Sequence, residues 1–114
     1  MQPCGKVDSP SSDDRLDGVI AHVAQQFALS PADLKGRSRD KEIVRARQLA
    51  MWCCRRLVPQ PSLPTIGRAL NRDHSSVSEA IRVAERLLHE YPALADVVRG
   101  WERSWRQLSE EKLA

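Results

Sequence analysis

The sequence predicts an all-α fold, a small helical bundle of about six helices that includes a helix-turn-helix. Apolar residues recur at spacings of three and four along most of the chain, and the alternation typical of strands is missing. Residues that start or end helices divide this pattern into segments. Aromatic residues make up only 4% of the 114 residues, so we expect an aliphatic core. This length indicates one domain with tails.

The N-terminal part of the chain predicts an arm followed by two helices. Residues 1–14 contain Pro, Gly, Ser and Asp without an apolar period, which is typical of a disordered arm. An amphipathic helix then runs from about Arg15 to Phe27. Ser30 is a good helix cap, and it predicts a short second helix that ends at Gly36.

The middle of the chain predicts a long helix and the first half of a helix-turn-helix. The long helix covers about Arg39 to Leu57, and Pro59 and Pro61 end it. Ser62 is expected to cap the next helix. Asn71 is a plausible left-handed residue at the end of that helix.

The last third of the chain predicts two further helices. Asp73 is the expected cap of the fifth helix, which continues through Leu88. Tyr91 with the following proline breaks it. The sixth helix covers about residues 92–111 and carries Trp101 and Trp105 on one apolar stripe. These two side chains could belong to the core or dock a protein partner, since aromatic residues are enriched at interface centres.

The positive charge is concentrated in the centre of the chain. Between Lys35 and Arg72 there are ten Lys and Arg residues but only two acidic residues, within a net charge of +3 for the whole chain. A basic centre between acidic flanks favours an anionic partner, and on a helical domain it indicates nucleic acid. The alternative is an ordinary solvated charged face.

Other function classes find little support. The three cysteines, Cys4, Cys53 and Cys54, have neither disulfide-framework nor metal-ligand spacing. We expect no metal, no cofactor and no enzymatic activity, because no nucleophile–base pair or paired carboxylates emerge. No segment suits a membrane span or signal peptide, and the cysteine usage favours the cytoplasm. A phosphate-binding loop is also missing, so no nucleotide is expected.

The strongest functional signal is the start of the fifth helix. The second helix of a helix-turn-helix enters the major groove with its N-terminal residues. Side chains that can donate to phosphates and read base edges cluster at this point. They are Arg72, Asp73, His74, Ser75 and Ser76.

Four segments in register resemble the C-terminal DNA-binding domain of the bacterial replication initiator DnaA. They are residues 33–39, 43–51, 62–67 and 72–77, and the resemblance extends over about residues 16–90. It implies an all-helical domain that binds the DnaA box, a short duplex site. We therefore assign residues 15–90 to a DNA-binding domain and residues 91–114 to a C-terminal helix that packs on it or forms an interface.

The resemblance implies a role for individual residues. The base-reading set would be Arg39, Arg72, Asp73, His74, Ser75 and Ser76, with Arg39 in the minor groove. The phosphate-contacting set would be Lys41, Arg47, Gln48, Arg55, Leu63 and Pro64. Alternatives stay open: Arg39 as a cap or a partner of Glu42, Gln48 as a surface residue, Pro64 as a helix starter and Asp73 as a cap that also reads bases.

The sequence departs from the family pattern in three places near the helix-turn-helix. Serine at both Ser75 and Ser76 lacks the methyl group of the threonine that the family usually carries there. Asn71 stands where the family has two glycines, and the loop at residues 59–61 is about one residue longer. These changes affect the preference for the box more than DNA binding itself.

Three functions follow as hypotheses. The first is a stand-alone, non-enzymatic regulator of transcription or replication that binds DnaA-box-like sites in double-stranded DNA and is associated with the nucleoid. The second is a protein-interaction module or homodimer that uses Trp101 and Trp105. The third is a phage-encoded subunit that directs a larger machine to a DNA site.

Overall fold

The computed structural model describes residues 12–58 and 61–113, which form six helices without a strand. The helices are α1 (Ser12–Gln26), α2 (Pro31–Lys35), α3 (Lys41–Leu57), α4 (Leu63–Leu70), α5 (His74–Glu90) and α6 (Pro92–Leu113). The all-α class predicted from the sequence is confirmed. None of the described helices is both long and apolar enough to cross a membrane. The predicted arm at residues 1–14 lies largely outside the described residues.

Two helix starts differ from the sequence prediction. Helix α1 begins at Ser12, three residues before Arg15. Helix α3 begins at Lys41, because the carboxylate of Asp40 accepts a hydrogen bond from the Glu42 backbone N–H at 3.0 Å and caps the helix there. Arg39 therefore lies in the loop before α3 rather than in the helix.

The predicted caps are confirmed at three helix starts. The Ser30 hydroxyl accepts from the Asp33 backbone N–H, and the Asp33 carboxylate accepts from the Ser30 N–H, which is a complete capping box. Ser62 caps α4 and Asp73 caps α5. Each cap satisfies a backbone donor that the helix itself leaves unpaired.

Helix α3 lies at the centre of the bundle and packs against the other five helices. The core around it is aliphatic, as the low aromatic content predicts. Its largest fully buried side chains are Leu16, Val19, Ile20, Val23, Leu34, Leu49, Met51, Cys53, Ile66, Leu70, Val77 and Val98. Packing of this kind fixes the positions of α4 and α5, which carry the candidate site.

Helix α6 folds back onto α1 and α3. The Trp101 ring lies edge-on to Phe27, with centroids 5.7 Å apart, and Trp101 is only 8% exposed. Trp105 packs so closely over Gly18 that a Cβ there would lie 2.7 Å from the indole ring. The buried carboxylate of Glu102 accepts from Arg56 Nε at 2.6 Å. The structure thus gives Trp101 the core position that the sequence left as one of two alternatives, and a partner bound through these tryptophans stays a prediction.

Candidate nucleic-acid interface

The first turn of α5 presents an exposed polar surface. His74, Ser75 and Ser76 are all exposed and follow directly on the cap residue Asp73. Asp73 Oδ1 accepts from the Ser76 backbone N–H at 2.8 Å. Hydrogen bonding to Ser76, first from its backbone and then from its side chain, lowers the pKa of Asp73 below its usual value. The carboxylate is therefore ionised near neutral pH and can only accept hydrogen bonds.

The turn between α4 and α5 is built around a left-handed residue. Asn71 has φ 58° and ψ 43°. The Arg72 N–H donates to the Gly67 carbonyl at 2.8 Å and the Asn71 N–H to the Arg68 carbonyl at 3.4 Å, which is the Schellman pattern. The prediction of a left-handed Asn71 is confirmed. Because asparagine tolerates this conformation, a single left-handed residue is enough to form the turn.

Gly67 is the contact point between α4 and this turn. A Cβ built on Gly67 would lie 2.2 Å from the Arg72 carbonyl oxygen and 3.5 Å from the Asp73 carbonyl carbon. Only a residue without a side chain permits this approach. Gly67 thereby sets the position of Asp73 and of the α5 N-terminus.

The guanidinium of Arg72 is half-buried and donates to backbone carbonyls of the protein. Its Nη1 donates to the carbonyls of Leu70 (3.2 Å) and Asn71 (3.0 Å), and its Nη2 donates to the Gly36 carbonyl (2.5 Å). The family resemblance predicts Arg72 among the base-reading residues. In the structure its donors hold the backbone of the turn and of the loop before α3.

Arg47 is also directed inward. It is only 8% exposed, and its Nε donates to the Leu34 carbonyl at 2.7 Å. Its Nη2 donates to the carbonyls of Gly36 and Ser38, at 3.2 and 3.3 Å. Burial, and then the nearby charge of Arg72, lower the pKa of Arg47. The donors of Arg47 thus lie on loop carbonyls in the free protein, and the phosphate contact predicted for this residue stays a prediction.

The loop of residues 36–40 connects α2 to α3 and displays two arginines. Both Arg37 and Arg39 are exposed, and neither belongs to a helix. The Asp40 N–H donates to the Ser38 hydroxyl at 3.2 Å within this loop. Arg37 is not among the site residues predicted from the sequence. Its signal in the sequence is its place directly after Gly36, between the predicted second and third helices.

The remaining phosphate candidates are distributed over α3 and α4. Lys41 and Arg55 are exposed on α3. Gln48 lines an open groove of about 380 Å³ between α3 and α5, together with Ser75 and Ser76. The groove joins the middle of α3 to the first turn of α5.

The two candidates on α4 differ in exposure. Pro64 is exposed in the first turn, and Leu63 is half-buried against the core. The Ser62 hydroxyl accepts from the Thr65 backbone N–H at 3.2 Å. The side chain of Leu63 thus contributes mainly to packing, while its backbone belongs to the helix N-terminus that attracts anions.

The described residues offer no arrangement typical of metal binding. Among them, no three His, Cys, Asp or Glu side chains come together in a way that would hold a metal ion. Cys53 and Cys54 are buried and free. Burial raises the pKa of the Cys53 thiol to about 12, so its thiolate form is scarce near neutral pH.

Comparison with known proteins identifies relatives of the region that carries this surface. A sequence model of the family described as "Bacterial dnaA protein helix-turn-helix" matches residues 16–83. A solved structure described as a DNA replication initiation factor superposes with a TM-score of 0.73 at 30% identity. The superposition covers 82% of this chain and 29% of the other.

Two curated relatives carry the name chromosomal replication initiator protein. The DnaA 1 protein of Chlamydia trachomatis serovar D is 36% identical over 92 residues, which cover 81% of this chain and 20% of the relative. A DnaA protein of Thermus thermophilus is 44% identical over 70 residues, which cover 60% of this chain and 16% of the relative. The chain thus spans a fifth or less of the length of these relatives.

Proposed function

The chain belongs to the family of the C-terminal helix-turn-helix domain of bacterial DnaA, and from this premise we propose that it binds double-stranded DNA sequence-specifically. The target sites would be similar to the DnaA box. Binding would regulate replication initiation or transcription without a catalytic step. The observation that carries this proposal is the exposed polar first turn of α5, held by the Schellman turn beside a loop with two exposed arginines.

Recognition in the major groove would come from the first turn of α5. The ionised Asp73 can accept from a cytosine amino group, and His74 can contact a base edge or a thymine methyl. The hydroxyls of Ser75 and Ser76 can donate to bases or to phosphates. All four side chains are exposed, so the surface is available to a duplex without rearrangement of the core.

Affinity would come mainly from cations and backbone donors that contact phosphates. Lys41 and Arg55 are exposed on α3, and each phosphate contact releases counterions, which makes binding sensitive to salt. The first backbone N–H groups of α4, around Pro64, provide a further phosphate site. Gln48 can donate its side-chain amide from the groove between α3 and α5.

Arg39 would supply a second source of specificity. The loop that carries it is separate from α5, so the two can enter adjacent grooves of one duplex. A narrow minor groove has an enhanced negative potential that attracts an arginine side chain. Arg37, two residues earlier and also exposed, is a further candidate for the same groove or its phosphates.

Fluorescence anisotropy with a DnaA-box duplex and a scrambled duplex at fixed near-physiological salt tests this proposal. We expect the wild-type chain to prefer the box at least about tenfold. Arg39→Ala and His74→Ala should each reduce this preference by about 1–3 kcal/mol. Arg55→Ala should instead weaken binding to both duplexes alike and reduce the salt slope by about 1.

Arg103→Ala is the matched control, since it removes the same charge from an exposed position on α6. It should retain the preference for the box. Equal binding of the wild-type chain to both duplexes would contradict the proposed sequence specificity. Lack of binding to either duplex would contradict the DNA-binding proposal as a whole and favour a protein partner.

A further inference from the structure

The Gly36 carbonyl is the meeting point of two arginines from distant parts of the chain. Arg72 Nη2 donates to it at 2.5 Å and Arg47 Nη2 at 3.2 Å. Gly36 begins the loop of residues 36–40, and Arg72 belongs to the turn that leads into α5. The shared carbonyl therefore joins the two surfaces to which DNA recognition is assigned above.

The guanidinium of Arg72 connects these two surfaces because it donates hydrogen bonds to both. Nη1 holds the carbonyls of Leu70 and Asn71 on the turn side, and Nη2 holds Gly36 on the loop side. A planar guanidinium with several donors in fixed directions suits such a bridge, whereas an ammonium group is a single point of charge. Three carbonyl acceptors also leave few donors of Arg72 for a base edge.

The loop between α2 and α3 is an irregular segment. Residues 37–40 lack regular secondary structure. At its two ends the loop bonds to the adjoining helices, through the Gly36 N–H to the Ala32 carbonyl and through Asp40 to the first turn of α3. Between these ends, Arg47 donates to the carbonyls of Gly36 and Ser38, and Arg72 donates to that of Gly36. Of these two, only Arg72 connects the loop to the helix-turn-helix.

We propose that Arg72 is a positioning residue, which fixes the loop that carries Arg39 relative to the α5 N-terminus rather than reading a base itself. This inference rests on the proposed DNA-binding function. A duplex offers its two grooves at a set spacing, so binding in both requires the loop and α5 to keep one relative position. A loop that is already fixed in the free protein loses no further conformational freedom when it binds DNA. Affinity and discrimination are thereby preserved.

The first test uses the free protein and requires no DNA. Backbone ¹⁵N relaxation of residues 37–39 is compared in the wild-type chain, Arg72→Ala and Arg72→Lys. In both variants we expect order parameters to fall from about 0.85, typical of rigid backbone, toward about 0.6, typical of flexible segments. Arg68→Ala, an exposed arginine on α4, is the matched control and should leave them unchanged. Unchanged order parameters in both Arg72 variants would overturn the proposal.

The second test is a double-mutant cycle on box preference with Arg39→Ala and Arg72→Ala. If Arg72 acts through the loop, Arg72→Ala removes most of the discrimination that depends on Arg39, and adding Arg39→Ala lowers the preference less than about twofold further. Additive losses would show that Arg72 acts on DNA independently of Arg39. Recovery of box preference by Arg72→Lys would assign the effect to charge and also overturn the proposal.

The two tests separate the failure of this inference from the failure of the proposed function. If the wild-type chain does not prefer the box, the proposed specificity is wrong, and the relaxation data still decide whether Arg72 fixes the loop. Thermal unfolding of each variant identifies any that lose the fold. Arg72→Lys keeps the charge and the aliphatic stem, so it serves as the second variant if Arg72→Ala does not fold.

Discussion

Replacing Gly67 by alanine should destabilise the protein even though alanine is the better helix former. The added Cβ would lie 2.2 Å from the Arg72 carbonyl oxygen, whereas ordinary contact begins near 3.4 Å. The obstacle is backbone, so no side chain can rotate away. The turn must move by about 1.2 Å, which stretches the 2.8 Å hydrogen bond from the Arg72 N–H to the Gly67 carbonyl.

The magnitude follows from three contributions. Overpacking against backbone costs about 2–3 kcal/mol, in the upper part of the usual range. Weakening the hydrogen bond from Arg72 to Gly67 costs about 1 kcal/mol. Alanine regains about 0.5–1 kcal/mol through its helix propensity. We therefore expect Gly67→Ala to lower the free energy of unfolding by about 2–3.5 kcal/mol.

Urea unfolding of Gly67→Ala and of Gly100→Ala measures this difference. Gly100 lies within α6, and a Cβ there would have no atom within 4 Å. Gly100→Ala should therefore stabilise the protein by about 0.5–1 kcal/mol. The two variants make the same chemical change with opposite expected signs. The slope of free energy against urea should stay the same, because neither change alters the surface exposed on unfolding.

A neutral or stabilising Gly67→Ala would refute the close approach of α4 to the turn. Since the same Cβ lies 3.5 Å from the Asp73 carbonyl carbon, movement of the turn also displaces the cap of α5. Box preference should then fall together with stability. A destabilised variant with unchanged box preference would show that the position of Asp73 is independent of Gly67.

Three further changes should have measurable effects on stability. Ala28 has a left-handed φ of 59°, which glycine adopts without steric cost. Ala28→Gly should therefore raise the free energy of unfolding, measured in urea titrations, by about 0.5–1 kcal/mol. A lower free energy of unfolding would contradict this conformation. Arg56→Met leaves the buried Glu102 carboxylate without its partner and should lower the free energy of unfolding by about 1–2 kcal/mol. Adding Glu102→Leu should recover most of this stability. Additive losses of stability in this double-mutant cycle would contradict the ion pair. Because the pKa of Asp73 is lower in the folded state, its ionised carboxylate stabilises the fold fully above the ordinary carboxyl pKa range. This stabilisation is lost as the pH falls through the lower folded-state pKa. Unfolding measured at each pH should therefore show that the wild type loses more stability between pH 5 and pH 3 than Asp73→Ser.

The helices and their ends could be predicted from the sequence because the determining interactions are local. Ser30 and Asp73 cap helices through backbone groups only three residues away. Asn71 ends α4 because asparagine accepts the left-handed conformation. The spacing of the apolar residues then predicts which face of each helix is buried. The predicted start of α3 differs from the observed start by two residues, because Ser38, Arg39 and Asp40 are all compatible with several loop conformations.

The exposure and contacts of the candidate site residues could be predicted only in part. The exposed set at the start of α5 follows from its position at a helix N-terminus. The sequence could not show that Arg47 is buried, because a basic residue in an amphipathic helix is usually exposed. Nor could it show that Arg72 donates to Gly36, which is 36 residues away along the chain.

The sequence by itself determined the order of the helices, three of their caps, the basic centre of the chain and the family to which it belongs. Each of these depends on residue types at short spacing, so a single chain contains the information. The tertiary structure alone decided that Arg47 and Arg72 converge on the Gly36 carbonyl and that Trp101 packs on Phe27. Helical periodicity defines which face of a helix is apolar, but only packing determines which distant backbone or side chain meets that face.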